Sequence, residues 1–196
     1  INLLVRKKTR RRSPKKRRGG GSKIINQVSI DNRPQHIALR NEVGHWEGDL
    51  VIGKNHKSAI GTIVERKTRF TIIVKLNSKK ADEVAKVFSE KLNQLNNNIK
   101  KSMTYDNGIE MARHEIITKN TGIKIYFAHP YSSWERGTNE NTNGLIRRCL
   151  PKGTNFNEIH INQLQIIQEK LNNRPRKIIG YKTPKEMMDL ELKLVD

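Results

Sequence analysis

The chain has 196 residues, of which 34% are hydrophobic and 5% aromatic, a length that allows one domain with a tail or at most two small domains around a modest core. Its net charge of +20 and pI near 10.3 point to a polyanionic partner, nucleic acid before membrane. The single cysteine, Cys149, excludes an intrachain disulfide and a cysteine zinc knuckle and fits a reducing, cytoplasmic setting, while no apolar run approaches transmembrane length.

Residues 1–23 read as a disordered basic linker. They hold eleven basic side chains and no acid, which leaves +9 on the remainder. Within the run 6–18, Arg10, Arg11, Arg12, Lys15, Lys16, Arg17 and Arg18 are candidate DNA contacts, suited to riding on phosphates without reading bases. A coding bias toward Lys, Asn and Ile is the bland account of the remaining charge. The chain opens on Ile1 in what reads as mid-domain sequence, so a further N-terminal portion is expected. Residues 24–45 form a connector, with Asp31-Asn32-Arg33-Pro34 followed by a short helical stretch around His36–Val43.

From Trp46 to the end, residues 46–196, the pattern is that of a folded domain. Leu50-Val51-Ile52, Ile60–Val64 and the alternating Phe70–Leu76 predict three strands in an antiparallel meander. Ser78 is placed to cap a helix whose apolar stripe is Val84, Val87, Phe88, Leu92 and Leu95, with Asp82 and Glu83 complementing its dipole. Met103-Thr104-Tyr105 is a fourth strand stopped by Asp106-Asn107-Gly108, and a short helix over Glu110–Lys119 ends at Gly122. Ile123–Phe127 is a fifth strand. A long helix follows, beginning either at Ser132 with Glu135 in a capping box or at Thr138 after Gly137. Ile161–Leu171 is a helix broken by Asn173-Arg174-Pro175, and Thr183-Pro184-Lys185-Glu186 is a capping box opening the last one. This order describes one α/β domain with a mixed five-stranded sheet and helices on both faces.

Three acids stand out by placement. Asp49 lies inside a strand, where Asp is disfavoured. Asp106 sits past the end of the fourth strand, and Glu140 is on the helix after the fifth. With strands one and four as central neighbours and the helix crossing their ends, the three converge. Carboxylates that close repel, and divalent cations resolve the conflict. Two such ions suit phosphoryl transfer. Each acid has an ordinary alternative: Asp106 as a turn residue, Glu140 as a solvated helix residue. Glu47 and Glu110 flank the acids without being expected to bind metal, and Glu65 falls in a hairpin turn. Trp46 and Trp134 read as packing anchors. The six histidines (His36, His45, His56, His114, His129 and His160) show no metal-ligand spacing.

HWEGDLVIG (45–53), TIVERKTRF (62–70), TYDNG (104–108), YFAHPYSSWERGTNENTNGLIRR (126–148), PKGTNF (151–156) and LNNRPRKIIGYKTPKEMM (171–188) resemble the DDE transposases of the insertion-sequence thirty family. The resemblance covers residues 45–188 almost continuously. It implies a ribonuclease-H-like fold, shared with retroviral integrases, and a metal-binding catalytic triad of Asp49, Asp106 and Glu140, the last two separated by 33 residues. It also implies Mg²⁺, with Mn²⁺ as a substitute, and double-stranded DNA as partner, both element ends and target. The implied reaction frees 3′-hydroxyls at the ends by hydrolysis and directs them at target DNA. Bringing two ends together implies a homo-oligomer, and DNA implies a place at the bacterial nucleoid. From helix spacing, Arg136, Asn143 and Arg147 are candidate phosphate contacts, and the loop 128–138 is expected to close over DNA about Gly137. The family's N-terminal helix-turn-helix region does not occur in this chain, and His129 stands where relatives are expected to carry Asp. A silent DNA-binding remnant and a nuclease of the same fold are the alternatives.

Overall fold

The computed structural model describes residues 24–195, so the candidate contacts from Arg10 to Arg18 lie outside the described residues. β1 (His45–Ile52), β2 (Ala59–Glu65) and β3 (Thr71–Lys75) form the antiparallel meander that their apolar runs predict. β4 (Ser102–Tyr105) pairs in parallel with β1, and β5 (Lys124–Phe127) in parallel with β4, giving the order β3-β2-β1-β4-β5. The first and fourth strands are therefore neighbours at the sheet centre.

Side chains alternate across a strand, so a sheet covered on both sides feeds two cores. On one face Trp46, Ile63 and Val74 join Val84, Phe88 and Leu92 of α1 (Ala81–Asn93) and Ile117 of α2 (His114–Thr121). On the other, Val51, Ile60 and Ile73 join Ile146 of α3 (Gly137–Cys149) and Leu164, Ile167 and Leu171 of α4 (Ile161–Asn172). Trp46 anchors the first core as expected, fully buried, its Nε1 donating to the Ile99 carbonyl (2.8 Å).

Gly48 lets the two central strands approach the first core. A Cβ there would fall 2.1 Å from Cε1 of Tyr105, whose ring is fully buried and has no room to retreat. Gly48→Ala is expected to lower stability by about 1–3 kcal/mol through overpacking. The check is a lower urea midpoint at unchanged slope.

Several local expectations need correction. Ser78 does not cap α1; its hydroxyl accepts from the Lys80 N–H (3.2 Å), and the helix starts at Ala81 with Lys80 in the cap position. The stretch from Glu110 divides into a 3-10 turn (Ile109–Met111) and α2, which Gly122 closes in the left-handed conformation at φ 75°. The Ser132 capping box does not form, because Glu135 turns back instead and accepts from the His129 N–H (2.8 Å). Ser133–Arg136 is a 3-10 turn and α3 begins at Gly137, which has helical φ and ψ of −59° and −21°. That turn holds Trp134 73% exposed, so it is no packing anchor. α5 (Pro184–Val195) does open on the expected capping box: Thr183 N–H donates to Glu186 Oε2 (2.7 Å) and Glu186 N–H to Thr183 Oγ1 (3.1 Å).

Residues 24–45 do more than connect. Ile24, Ile30, Ile37 and Val43 are buried, and the Val28 carbonyl accepts from the Phe127 N–H (2.8 Å) at the edge of β5. Their apolar positions follow neither helix nor strand period, which hid this packing from a periodicity reading.

Candidate active site

The alternation that sends Trp46 to one core sends Glu47, Asp49 and Val51 toward α3. Asp49 is held on two sides: its Oδ1 accepts from the Leu50 N–H (2.8 Å) and its Oδ2 from Asn143 Nδ2 (2.9 Å). β4 runs parallel to β1 with Glu47 opposite Thr104, so Asp106, just past the strand end, comes level with Asp49 on the neighbouring strand. One guanidinium joins them. Arg136 places Nη1 3.4 Å from Asp49 Oδ2 and donates from Nη2 to Asp106 Oδ2 (3.2 Å). Both acids line a cavity of about 120 Å³ with Glu110, Leu50, Ile52 and Met111. Burial pushes the Asp49 carboxyl up to about 6, Arg136 opposing the rise and Asp106 adding to it.

Glu140 occupies the expected place on α3, one turn from Arg136 and three residues before Asn143, both of which reach Asp49. Its carboxylate is exposed, and the three acids do not close as a set to within 4.8 Å of one another. With Arg136 already between two of them, a third negative group gains little there and stays in water. Among the described residues the set that does close is His36, Glu42 and His45, which no sequence spacing revealed. Lys101 Nζ lies 2.6 Å from Glu42 Oε1 and His45 Nδ1 is 2.7 Å from Ser102 Oγ, so that cluster is already compensated.

Asn143 is brought to the site as expected, but against Asp49; its Oδ1 accepts from Thr62 Oγ1 (3.1 Å). Arg136 is also at the site, bridging acids rather than lying free for a phosphate. Arg147 is not. Its Nη2 donates to the carbonyl of Ile52 and its guanidinium sits 5.7 Å over the Phe156 ring, a tie between α3 and the end of β1.

Glu47, expected only to flank the acids, is the residue that seats α3. It is wholly buried 3.1 Å from Arg66 Nε, and its Oε2 accepts from the Asn139 N–H (2.8 Å) in the first turn of the helix. Asn139 answers by donating from Nδ2 to the Glu47 carbonyl (2.9 Å). Glu65 organises the β2–β3 turn, as its position suggested: its Oε2 accepts from the Lys67 N–H (2.7 Å) and the Thr68 N–H (2.6 Å). His129 holds the loop before α3, 2.9 Å from Glu135 Oε1 and 3.0 Å from Asp31 Oδ2.

A mixed sheet of this order, with one acid within and one just past the end of its parallel central strands and a helix packed across them, is a ribonuclease-H-like fold. The Integrase core domain family matches residues 40–133. The catalytic core of BIV integrase superposes with a TM-score of 0.59 at 20% identity, over 78% of this chain and 99% of that one. A chain of the simian T-cell lymphotropic virus intasome in complex with PP2A regulatory subunit B56 gamma gives 0.60 at 19% identity, over 74% of this chain and 54% of that one. In sequence, the chain is 46% identical over 173 residues to the transposase InsI for insertion sequence element IS30A of Escherichia coli, covering 88% of this chain and 45% of that protein. It is 50% identical over 163 residues to the transposase for IS4351 of Bacteroides fragilis, covering 83% and 50%. The chain belongs to the insertion-sequence thirty family of transposases. It spans about half the length of the curated relatives it matches. Among the described residues no helix is long and apolar enough to cross a membrane.

Proposed function

We propose that this chain carries the catalytic core of a DNA transposase, cutting at the ends of an insertion sequence and joining them to target DNA at the nucleoid. The observation that carries the reading is the meeting of Asp49 and Asp106, from the two central strands, around a single cationic group beside the helix that bears Glu140. Two hard carboxylate donors around a position already filled by a positive charge, with a third carboxylate on the helix one turn from Arg136, fit Mg²⁺, or Mn²⁺ in its place, better than a soft metal. Such ions would supply activation of the attacking oxygen and neutralisation of the leaving one.

The chain's own residues do the rest. Asn143 and the Leu50 N–H fix the Asp49 carboxylate. Arg136 neutralises the pair in the absence of a metal and is free to turn to a DNA phosphate once another cation takes over that charge. Glu140 stands exposed on the same helix, one turn from Arg136. Tyr131 and Trp134, both exposed on the loop between β5 and α3, offer flat surfaces to the bases or sugars of bound DNA. Joining two ends calls for two or more copies of the chain on DNA.

A proton on Asp49 competes with any cation. Mn²⁺ affinity is therefore expected to rise with pH until about 6 and then level off. Below that point it weakens by up to about tenfold per pH unit. Titration by Mn²⁺ magnetic resonance between acid and neutral pH checks this; a flat profile counts against Asp49 as a ligand. The function itself is tested by offering pre-cleaved element ends and a target duplex with Mg²⁺ or Mn²⁺. Joined product supports a transposase, cutting without joining indicates a nuclease, and binding alone indicates a silent DNA-binding protein.

A further inference from the structure

On the flank of α3 away from the acids lies a cavity of about 280 Å³ lined by Arg40, Arg69 and Arg176 together with Gly137, Thr138 and Asn141. Three separate segments bring the arginines there: the stretch before β1, the β2–β3 turn and the stretch after α4. No carboxylate is among the described residues lining it. Arg69 is fixed, donating from Nη1 to Thr138 Oγ1 (2.6 Å), and Arg176 donates from Nη2 to the Leu171 carbonyl (3.2 Å). The Nε groups of both are buried without a hydrogen-bond partner. Burial, and then the neighbouring Arg40, pull Arg69 below the usual arginine range. The acids whose charge reaches Arg69 are committed elsewhere, Glu47 to Arg66 and Glu65 to its own turn.

Gathering three guanidinium groups in a half-buried hollow is unfavourable unless an anion completes it. Planar guanidinium groups match the oxygens of a phosphate, and the positive end of α3 adds to the attraction. The cavity shares α3 with the acid site, since Thr138 and Asn141 flank Glu140 in sequence. We propose that it seats a DNA backbone phosphate flanking the one presented to the acids, so that a duplex straddles the first turns of α3. This deepens the functional reading above and rests on it for the choice of DNA over a free anion.

The test is binding of plain duplex DNA in EDTA across a salt series, which requires no catalysis. Arg40→Gln and Arg176→Gln are each expected to flatten the slope of log affinity against log salt by about 0.9, equally for unrelated sequences. Lys86→Gln removes the same charge from α1, on the opposite face of the sheet, and is expected to leave the slope unchanged. Arg176→Lys keeps the charge and should restore most of the slope, which separates phosphate contact from folding damage. Slopes for Arg40→Gln and Arg176→Gln that match Lys86→Gln overturn the proposal. So does saturable binding of inorganic phosphate at matched ionic strength that both variants abolish while their DNA slopes stay at wild type, which would mark a small-anion site. Failure of the joining assay leaves this measurement intact, and failure here leaves the acid site standing.

Discussion

Asp49→Asn, Asp106→Asn and Glu140→Gln are each expected to remove strand cleavage and joining while leaving non-specific DNA affinity within about twofold of wild type. The two outcomes separate because different groups carry them. Asp49 and Asp106 gather around a cationic position with Glu140 on the helix above them, whereas affinity for the duplex comes from basic side chains spread over the surface. Losing one carboxylate from a divalent-cation site forfeits several kcal/mol of charge stabilisation at the reacting phosphate. At 1.4 kcal/mol per decade that is about three orders of magnitude or more in rate. Strand-transfer and duplex-binding assays on the same preparations check it. Retained joining in any one variant removes that residue from the triad. Glu140→Gln is the most informative of the three, because Glu140 alone stands outside the Asp49–Arg136–Asp106 bridge.

Glu47→Ala is expected to lower the stability of the fold by about 3–5 kcal/mol, the cost of leaving one member of a buried ion pair unpaired. Arg66, with 5% of its side chain exposed, would lose its carboxylate, and the Asn139 N–H would lose its acceptor. Glu47→Gln keeps an acceptor for Asn139 and should lose less. Chemical denaturation of the two variants gives the ranking. Because the same carboxylate seats the first turn of α3, partial activity in Glu47→Gln should come with looser Mn²⁺ binding, as Glu140 and Asn143 ride on that helix. A Glu47→Ala variant as stable as wild type would show that β1 and α3 are held by their apolar contacts alone.

The sequence alone determined the sheet and where its acids lie. Runs such as Phe70–Leu76 have the period of a strand, Val84 to Leu95 the period of a helix, and tight polar turns permit few connections. Their order allows β1 and β4 as central neighbours, and the parallel pairing of the two strands then brings Asp49 level with Asp106. The final capping box at Thr183 was equally legible, because a cap is a contact between residues three apart. What sequence could not reveal depends on contacts between residues far apart in the chain. Arg136 reads along the helix as a phosphate contact, yet in three dimensions it is the nearest positive charge to two carboxylates and binds them. Arg147, spaced onto the same face, turns instead to the backbone of Ile52. Glu47 looks like one more acid beside Asp49 until Arg66 and Asn139 are placed against it. Arg40, Arg69 and Arg176 are unremarkable singly and become a site only when three segments meet. Periodicity and capping are local and survive in one dimension, whereas the choice of partner for a charge is set by whichever opposite charge the fold leaves closest in a water-poor space.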